Sequence, residues 1–178
     1  MKRIDMTNVT EAGISSRLPA GAYICAITDV EDVADKEYLK VTYDICEGDY
    51  KWYFSKLRED HPDWSWTGAY VKSYKQAALP MFKRFCSAVS KSNGKFVFDG
   101  GSVNADEETL VGKKLGIVLR EEEYYSNSGE VRTRLIVHSE FPINKLADQR
   151  VPDVKKLPEE KKTDFVDVPA GSNEEVPF

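Results

Sequence analysis

The stretch Asp49-Tyr50-Lys51-Trp52-Tyr53-Phe54-Ser55-Lys56 interleaves aromatic rings with ammonium groups. Read as an extended strand, it puts Tyr50, Trp52 and Phe54 on one face and Lys51, Tyr53 and Ser55 on the other, because successive side chains point to opposite sides. One face then suits a core. The other offers Tyr53, beside Lys51 and Lys56, to a flat partner such as a nucleobase. An aromatic-rich strand is also simply a good strand, and core packing is the heavier reading for Trp52 and Phe54. Trp64 and Trp66 follow in a polar segment opened by His61-Pro62-Asp63, where packing and binding weigh about evenly.

Other chemistries find less support. His61 and His138 lie in unrelated contexts, neither near a cysteine or a second histidine at metal-ligand spacing, so no metal site is expected. Neither Gly-x-x-x-x-Gly-Lys-Ser/Thr nor Gly-x-Ser-x-Gly occurs, and no cofactor is implied. The acids between Asp99 and Glu108 and in Glu121-Glu122-Glu123 could hold Mg²⁺ for a nuclease, but such runs are usually solvated faces. The expectation is therefore a binding protein, not an enzyme.

The elements that must position these groups alternate clearly in places. Leu18-Pro19-Ala20-Gly21 punctuates the entry to a first strand over 22–30, apolar on both sides as in a central strand. In Tyr38 to Cys46, Leu39, Val41, Tyr43 and Ile45 alternate with polar residues, giving a half-buried second strand. Glu47-Gly48-Asp49 is short enough to join it to an antiparallel third strand, the aromatic stretch. The spacing of Tyr70, Tyr74, Ala77 and Ala78 suits a helix capped by Asp63 or Thr67. Pro80 opens a second helix with Met81, Phe82, Phe85, Cys86 and Val89 on one face, stopped by Ser92-Asn93-Gly94. Phe96-Val97-Phe98 is a short apolar run, and residues 104–110 suit one more helical turn. A long strand over 112–125, with Leu115, Ile117 and Leu119 inward, turns at Ser126-Asn127-Ser128-Gly129 into a last strand, 131–141.

A chain of 178 residues, 41% hydrophobic and 31% charged, has the makings of one core with appendages. No run of eighteen apolar residues suggests a membrane span, and no apolar segment follows Met1-Lys2-Arg3 to suggest a secretory leader. Cys25, Cys46 and Cys86 are odd in number and far apart, which fits small reduced core residues in a cytoplasmic protein. The formal charge is −5. Asp164, Asp167, Glu174 and Glu175 carry four of those charges in a stretch without lysine or arginine, so the body is nearly neutral and free to display a basic groove.

The order β, β, β, α, β, β predicts an all-β domain with a helical insertion: a five-stranded OB-fold barrel over residues 18–150, whose strand 2 and 3 face binds oligonucleotides or oligosaccharides. An SH3-like barrel or a small α+β domain is the alternative. Residues 1–17 read as a loose lead-in, and residues 151–178, rich in Pro, Glu and Lys, as a disordered acidic tail. An exposed edge strand leaves pairing with a second copy open.

The chain ends Asn173-Glu174-Glu175-Val176-Pro177-Phe178, two acids before an apolar, Pro-containing terminus. This end resembles the acidic C-terminal tip of bacterial single-stranded DNA-binding proteins. The body resembles the single-stranded DNA-binding proteins of phages and of Gram-positive mobile elements. The resemblance implies binding of single-stranded DNA without strong sequence preference, in DNA replication and recombination. It also implies recruitment of replication, recombination or repair proteins through Glu174, Glu175, Val176, Pro177 and Phe178. Bases would stack on Tyr38, Trp52 or Tyr53, Trp64, Trp66 and Tyr124 or Tyr125. Phosphates would pair with Lys40, Lys51, Lys56, Lys72, Lys75, Arg132 and Arg134. A protein-interaction module with the same barrel and no nucleic-acid binding is the competing expectation, favoured by the acidic charge.

Overall fold

The structure, a computed structural model, describes residues 17–64 and 66–158. Among the described residues five strands form one antiparallel sheet: β1 (Gly21–Val33), β2 (Tyr38–Ile45), β3 (Ala69–Ser73), β4 (Lys114–Tyr125) and β5 (Val131–Phe141). Their spatial order is β3-β2-β1-β4-β5. Helix α1 (Tyr53–Asp60) lies between β2 and β3, and α2 (Leu79–Ser92) between β3 and β4.

Strand β1 serves two neighbours. Its first half, 21–26, pairs with β4, and 25–33 pairs with β2. The β2 register passes from Ile27↔Tyr43 to Asp29↔Thr42, leaving Thr28 bulged. A bulge bends its strand and sharpens the local twist, so the sheet curls around Ile27, Val41, Ile45, Leu115, Ile117 and Leu119, all at most 1% exposed. Helix α2 closes this core with Phe82, Phe85, Cys86, Ala88 and Val89. Curling also brings the two outer strands within side-chain reach. Lys72 of β3 forms an ion pair with Glu140 of β5, although the described strands show no backbone ladder between β3 and β5. The sheet is open at the level of the backbone.

The first strand, the second strand and the final hairpin stand where the alternation puts them, with Leu115, Ile117 and Leu119 inward. Helix α2 has its proline in the first turn, as expected. Cys25, Cys46 and Cys86 are buried free thiols. Residues Glu107–Leu110 form a 3₁₀ turn, while Phe96 to Phe98 carries no regular element.

Two expectations are overturned. The aromatic stretch 49–56 is not a strand: a turn runs through Asp49 to Trp52, and α1 starts at Tyr53. Trp52 has φ 64°, which stops any extended run. What makes the helix is Asp44, ten residues upstream and fully buried on β2. Its carboxylate accepts the backbone N–H groups of Phe54 at 3.0 Å and Ser55 at 2.7 Å, orphan donors that every helix start must satisfy. Arg58, one turn on, completes the arrangement 3.8 Å from the same carboxylate.

The third strand is instead Ala69–Ser73, inside the segment expected to be helical. There Val71 faces out and Lys72 faces in. That inverts the usual pattern and is sustained by the ion pair with Glu140. The order of strands and α-helices, β-β-α-β-α-β-β, thus replaces the expected one. Pairing also runs past the expected domain boundary at Arg150. Lys155 makes a parallel bridge with Glu122, accepting from Glu123 N–H and donating to Glu121 C=O, both at 2.9 Å. It covers the stretch of β4 that β1 does not reach.

Candidate nucleic-acid interface

A groove runs between the α1–β3 connection and β5. It begins as a cleft of about 710 Å³ walled by Tyr53, Leu57, Trp64 and Trp66 on one side and by Thr133, Arg134 and Leu135 on the other. It continues as a second cleft of about 520 Å³ between β3 and β5, reaching Tyr70, Lys72, Met81, His138 and Glu140. The two share Phe54, Trp66, Gly68, Arg134 and Leu135.

Each wall has a local cause. Tyr53, Phe54 and Leu57 recur at helical spacing on the inward side of α1, which Asp44 anchors to β2. Arg58 donates to the carbonyl of Thr67 at 2.9 Å and so ties the tryptophan loop back to the helix. Gly68 lets that loop enter β3: its φ is +64°, and a Cβ there would stand 2.7 Å from the carbonyl oxygen of Tyr43.

Trp64 and Trp66 are 54% and 53% exposed, so neither is a core residue. Trp64 lies flat against the His61 ring, centroids 4.0 Å apart and planes 11° apart, which orients it and leaves its other face uncovered by that imidazole. Lys40 Nζ stands 5.0 Å from the Trp66 ring. Arg134 Nη2 and Nε donate to Glu122 at 2.8 and 3.1 Å, with the guanidinium 5.2 Å from the Tyr124 ring. Arg17 donates to the carbonyl and hydroxyl of Thr133 at 2.7 and 3.0 Å and completes the wall. This arrangement holds flat rings and guanidinium groups along one continuous concave path.

Of the residues singled out by sequence, Tyr53, Trp64, Trp66, Lys72 and Arg134 line the groove. Lys40 and Tyr124 contact residues that do. The remaining candidates line neither cleft. Trp52 is exposed beside Lys51, whose Nζ is 5.3 Å from its ring. Tyr38 opens β2 opposite Val33 and Ser73. Lys56 and Lys75 are exposed on other surfaces. Tyr125 stands at the tip of the final hairpin, and Arg132 pairs with Glu130 at 2.8 Å. Lys72 is buried in its ion pair and not displayed as a surface cation. Glu174 to Phe178 lie outside the described residues. Arg17, Leu57 and Leu135 were missed. Arg17 sits in a lead-in without periodicity, and only its contact with Thr133, 116 positions away, reveals it.

Burial, then the charge of nearby Glu140, pushes the Tyr70 phenol well above its ordinary range. Lys155 and Arg134, hydrogen-bonded to Glu122, hold that carboxyl below its ordinary value. Among the described residues no group of His, Cys, Asp and Glu is arranged to hold a metal ion, and no helix is long and apolar enough to cross a membrane.

No family model matches this sequence, and no curated protein matches it.

Proposed function

We propose that this protein binds single-stranded DNA, without strong sequence preference, along the groove between the tryptophan loop and β5. Trp64 and Trp66 carry the proposal: two large rings, half exposed, line one concavity together with Arg17 and Arg134. A soluble surface has little reason to hold such rings in the open unless a partner covers them. Bases stack on them at about 1 to 3 kcal/mol each, and every base has a π face. The strand order supports an OB-type body, since an OB barrel closes where β3 meets β5, and the Lys72–Glu140 pair spans that gap.

The acidic end, Glu174 to Phe178, serves in this proposal as a separate peptide that recruits replication, recombination or repair proteins, with Phe178 as anchor. Deleting Val176 to Phe178 then leaves DNA affinity unchanged or raised, while capture of such partners is lost.

The protein-interaction reading keeps one observation on its side. Arg134 and Arg132 already have carboxylate partners, so a phosphate must compete with them. Fluorescence polarisation with labelled oligo-dT at two salt concentrations decides between the two. Salt-sensitive binding supports the DNA reading, and absence of binding at low salt overturns it.

A further inference from the structure

We propose that Arg84, Arg120 and His138 form a phosphate-binding site where β5 meets α2, at the edge of the second cleft, taking a phosphodiester of the bound strand. The proposal rests on the DNA-binding reading above and adds where the backbone of the strand is held.

The register of the last hairpin creates the place. It passes from Val118↔Ser139 to Leu119↔Val137, so His138 is an extra residue in β5 with no partner on β4. Such bulges turn a side chain out of the regular alternation. His138 is exposed and stands on the wall of the second cleft, near Met81 of α2.

Two arginines reach β5 on either side of it, outside the residues that wall the cleft. Arg84, on α2, donates from Nε to the carbonyl of Glu140 at 3.3 Å and lies 4.4 Å from the Phe141 ring. It is therefore anchored by one nitrogen and one face, and its terminal nitrogens make no hydrogen bond among the described residues. Arg120, on β4 opposite Ile136, has a buried Nε with no acceptor among the described residues. A buried donor left unmatched is uncommon and costs desolvation energy. Neither arginine has a carboxylate partner among the described residues, whereas Arg132 and Arg134 both do. The guanidinium fork matches phosphate oxygens in pairs.

The imidazole reports on the same field. Burial, then Arg120 and Arg84, lower the His138 pKa below its ordinary value, with Glu140 opposing them. Two cations without carboxylate partners among the described residues thus act on this imidazole, while the one opposing carboxylate, Glu140, is already paired with Lys72. The four residue steps along β5 from Arg134 to His138 span about 13 Å, which sets the tryptophan end and the arginine end on one path.

The test measures oligo-dT affinity against salt for the full chain, for Arg84→Gln and Arg120→Gln, and, as comparisons, for Trp64→Ala and for Lys91→Gln, an exposed residue in the last turn of α2 away from both clefts. The proposal expects each arginine variant to weaken binding about threefold to tenfold and to reduce the log–log salt slope by about 0.7, the value of one phosphate contact on a single strand. Trp64→Ala lowers affinity without changing the slope, and Lys91→Gln changes neither. Wild-type slopes in both arginine variants overturn the site while leaving DNA binding intact. Failure of the parent protein to bind at low salt overturns the underlying reading as well.

A second measurement needs no variant. The His138 imidazole, followed by NMR in the full chain, titrates at higher pH when saturating oligo-dT is present. An unchanged titration overturns the site. An equal rise with inorganic phosphate alone, at the nucleotide concentration used, assigns the site to free anion and overturns the strand assignment.

Discussion

The ammonium of Lys72 on β3 and the carboxylate of Glu140 on β5 pair across the space between the two outer strands, with side chains 11% and 1% exposed. Two desolvated charges gain little net stability over a well-packed apolar pair, but either one alone in that space is costly. Lys72→Met is expected to lower unfolding free energy by about 3 to 5 kcal/mol, read by urea denaturation. Lys72→Met combined with Glu140→Leu recovers most of that loss, because no charge is then left unpaired.

Asp44 makes a sharper prediction about α1. Its carboxylate accepts from Ile45 at 2.8 Å as well as from Phe54 and Ser55. Asp44→Ala leaves those donors unmatched and is expected to cost about 2 to 4 kcal/mol, with Asp44→Asn in between. Hydrogen exchange at the Phe54 and Ser55 amides should accelerate more than exchange in β1. Oligonucleotide affinity falls with it, since α1 supplies the Tyr53 and Leu57 side of the groove.

The three tryptophans separate by position. Trp64→Ala and Trp66→Ala each weaken oligo-dT binding by about 1 to 3 kcal/mol with melting temperature nearly unchanged, because both rings are half exposed. Trp52→Ala leaves affinity unchanged, as Trp52 lines neither cleft. Parallel polarisation titrations and thermal melts read all three.

Protonation of His138 works against the folded state. Its folded pKa is lowered by burial and then by Arg120 and Arg84, with Glu140 acting in the opposite sense. The unfolded chain therefore binds the proton more readily, and stability rises with pH across that interval. His138's contribution is full above the ordinary imidazole range and declines as pH falls through the folded pKa. Melting temperatures at pH 7.5 and 5.5 should differ less in His138→Gln than in the parent protein.

Much of the body was legible in local pattern. Leu39, Val41, Tyr43 and Ile45 alternate with polar neighbours, and Leu115, Ile117 and Leu119 face residues of a hairpin whose turn is written in Ser126 to Gly129. Such strands declare themselves because one face is buried and the other wet. The segment 49–73 was not legible. Tyr50 to Phe54 satisfies a strand period and Tyr53, Phe54 and Leu57 a helix period, so neither excludes the other. Tyr70 and Lys72 hide a strand because the inward residue is a lysine.

The amino-acid order alone therefore determined the β-rich body, its final hairpin, helix α2 and the candidacy of Trp64 and Trp66, all of which depend on neighbours a few positions apart. Tertiary structure decided the rest. Asp44 caps a helix ten residues away, Glu140 holds Lys72 inside from 68 residues away, and Arg84 of α2 reaches the Glu140 carbonyl just past the bulge in β5. Those choices turn on the desolvation of charges and backbone donors, whose cost is set by what the completed fold places beside them. Local periodicity carries no record of that.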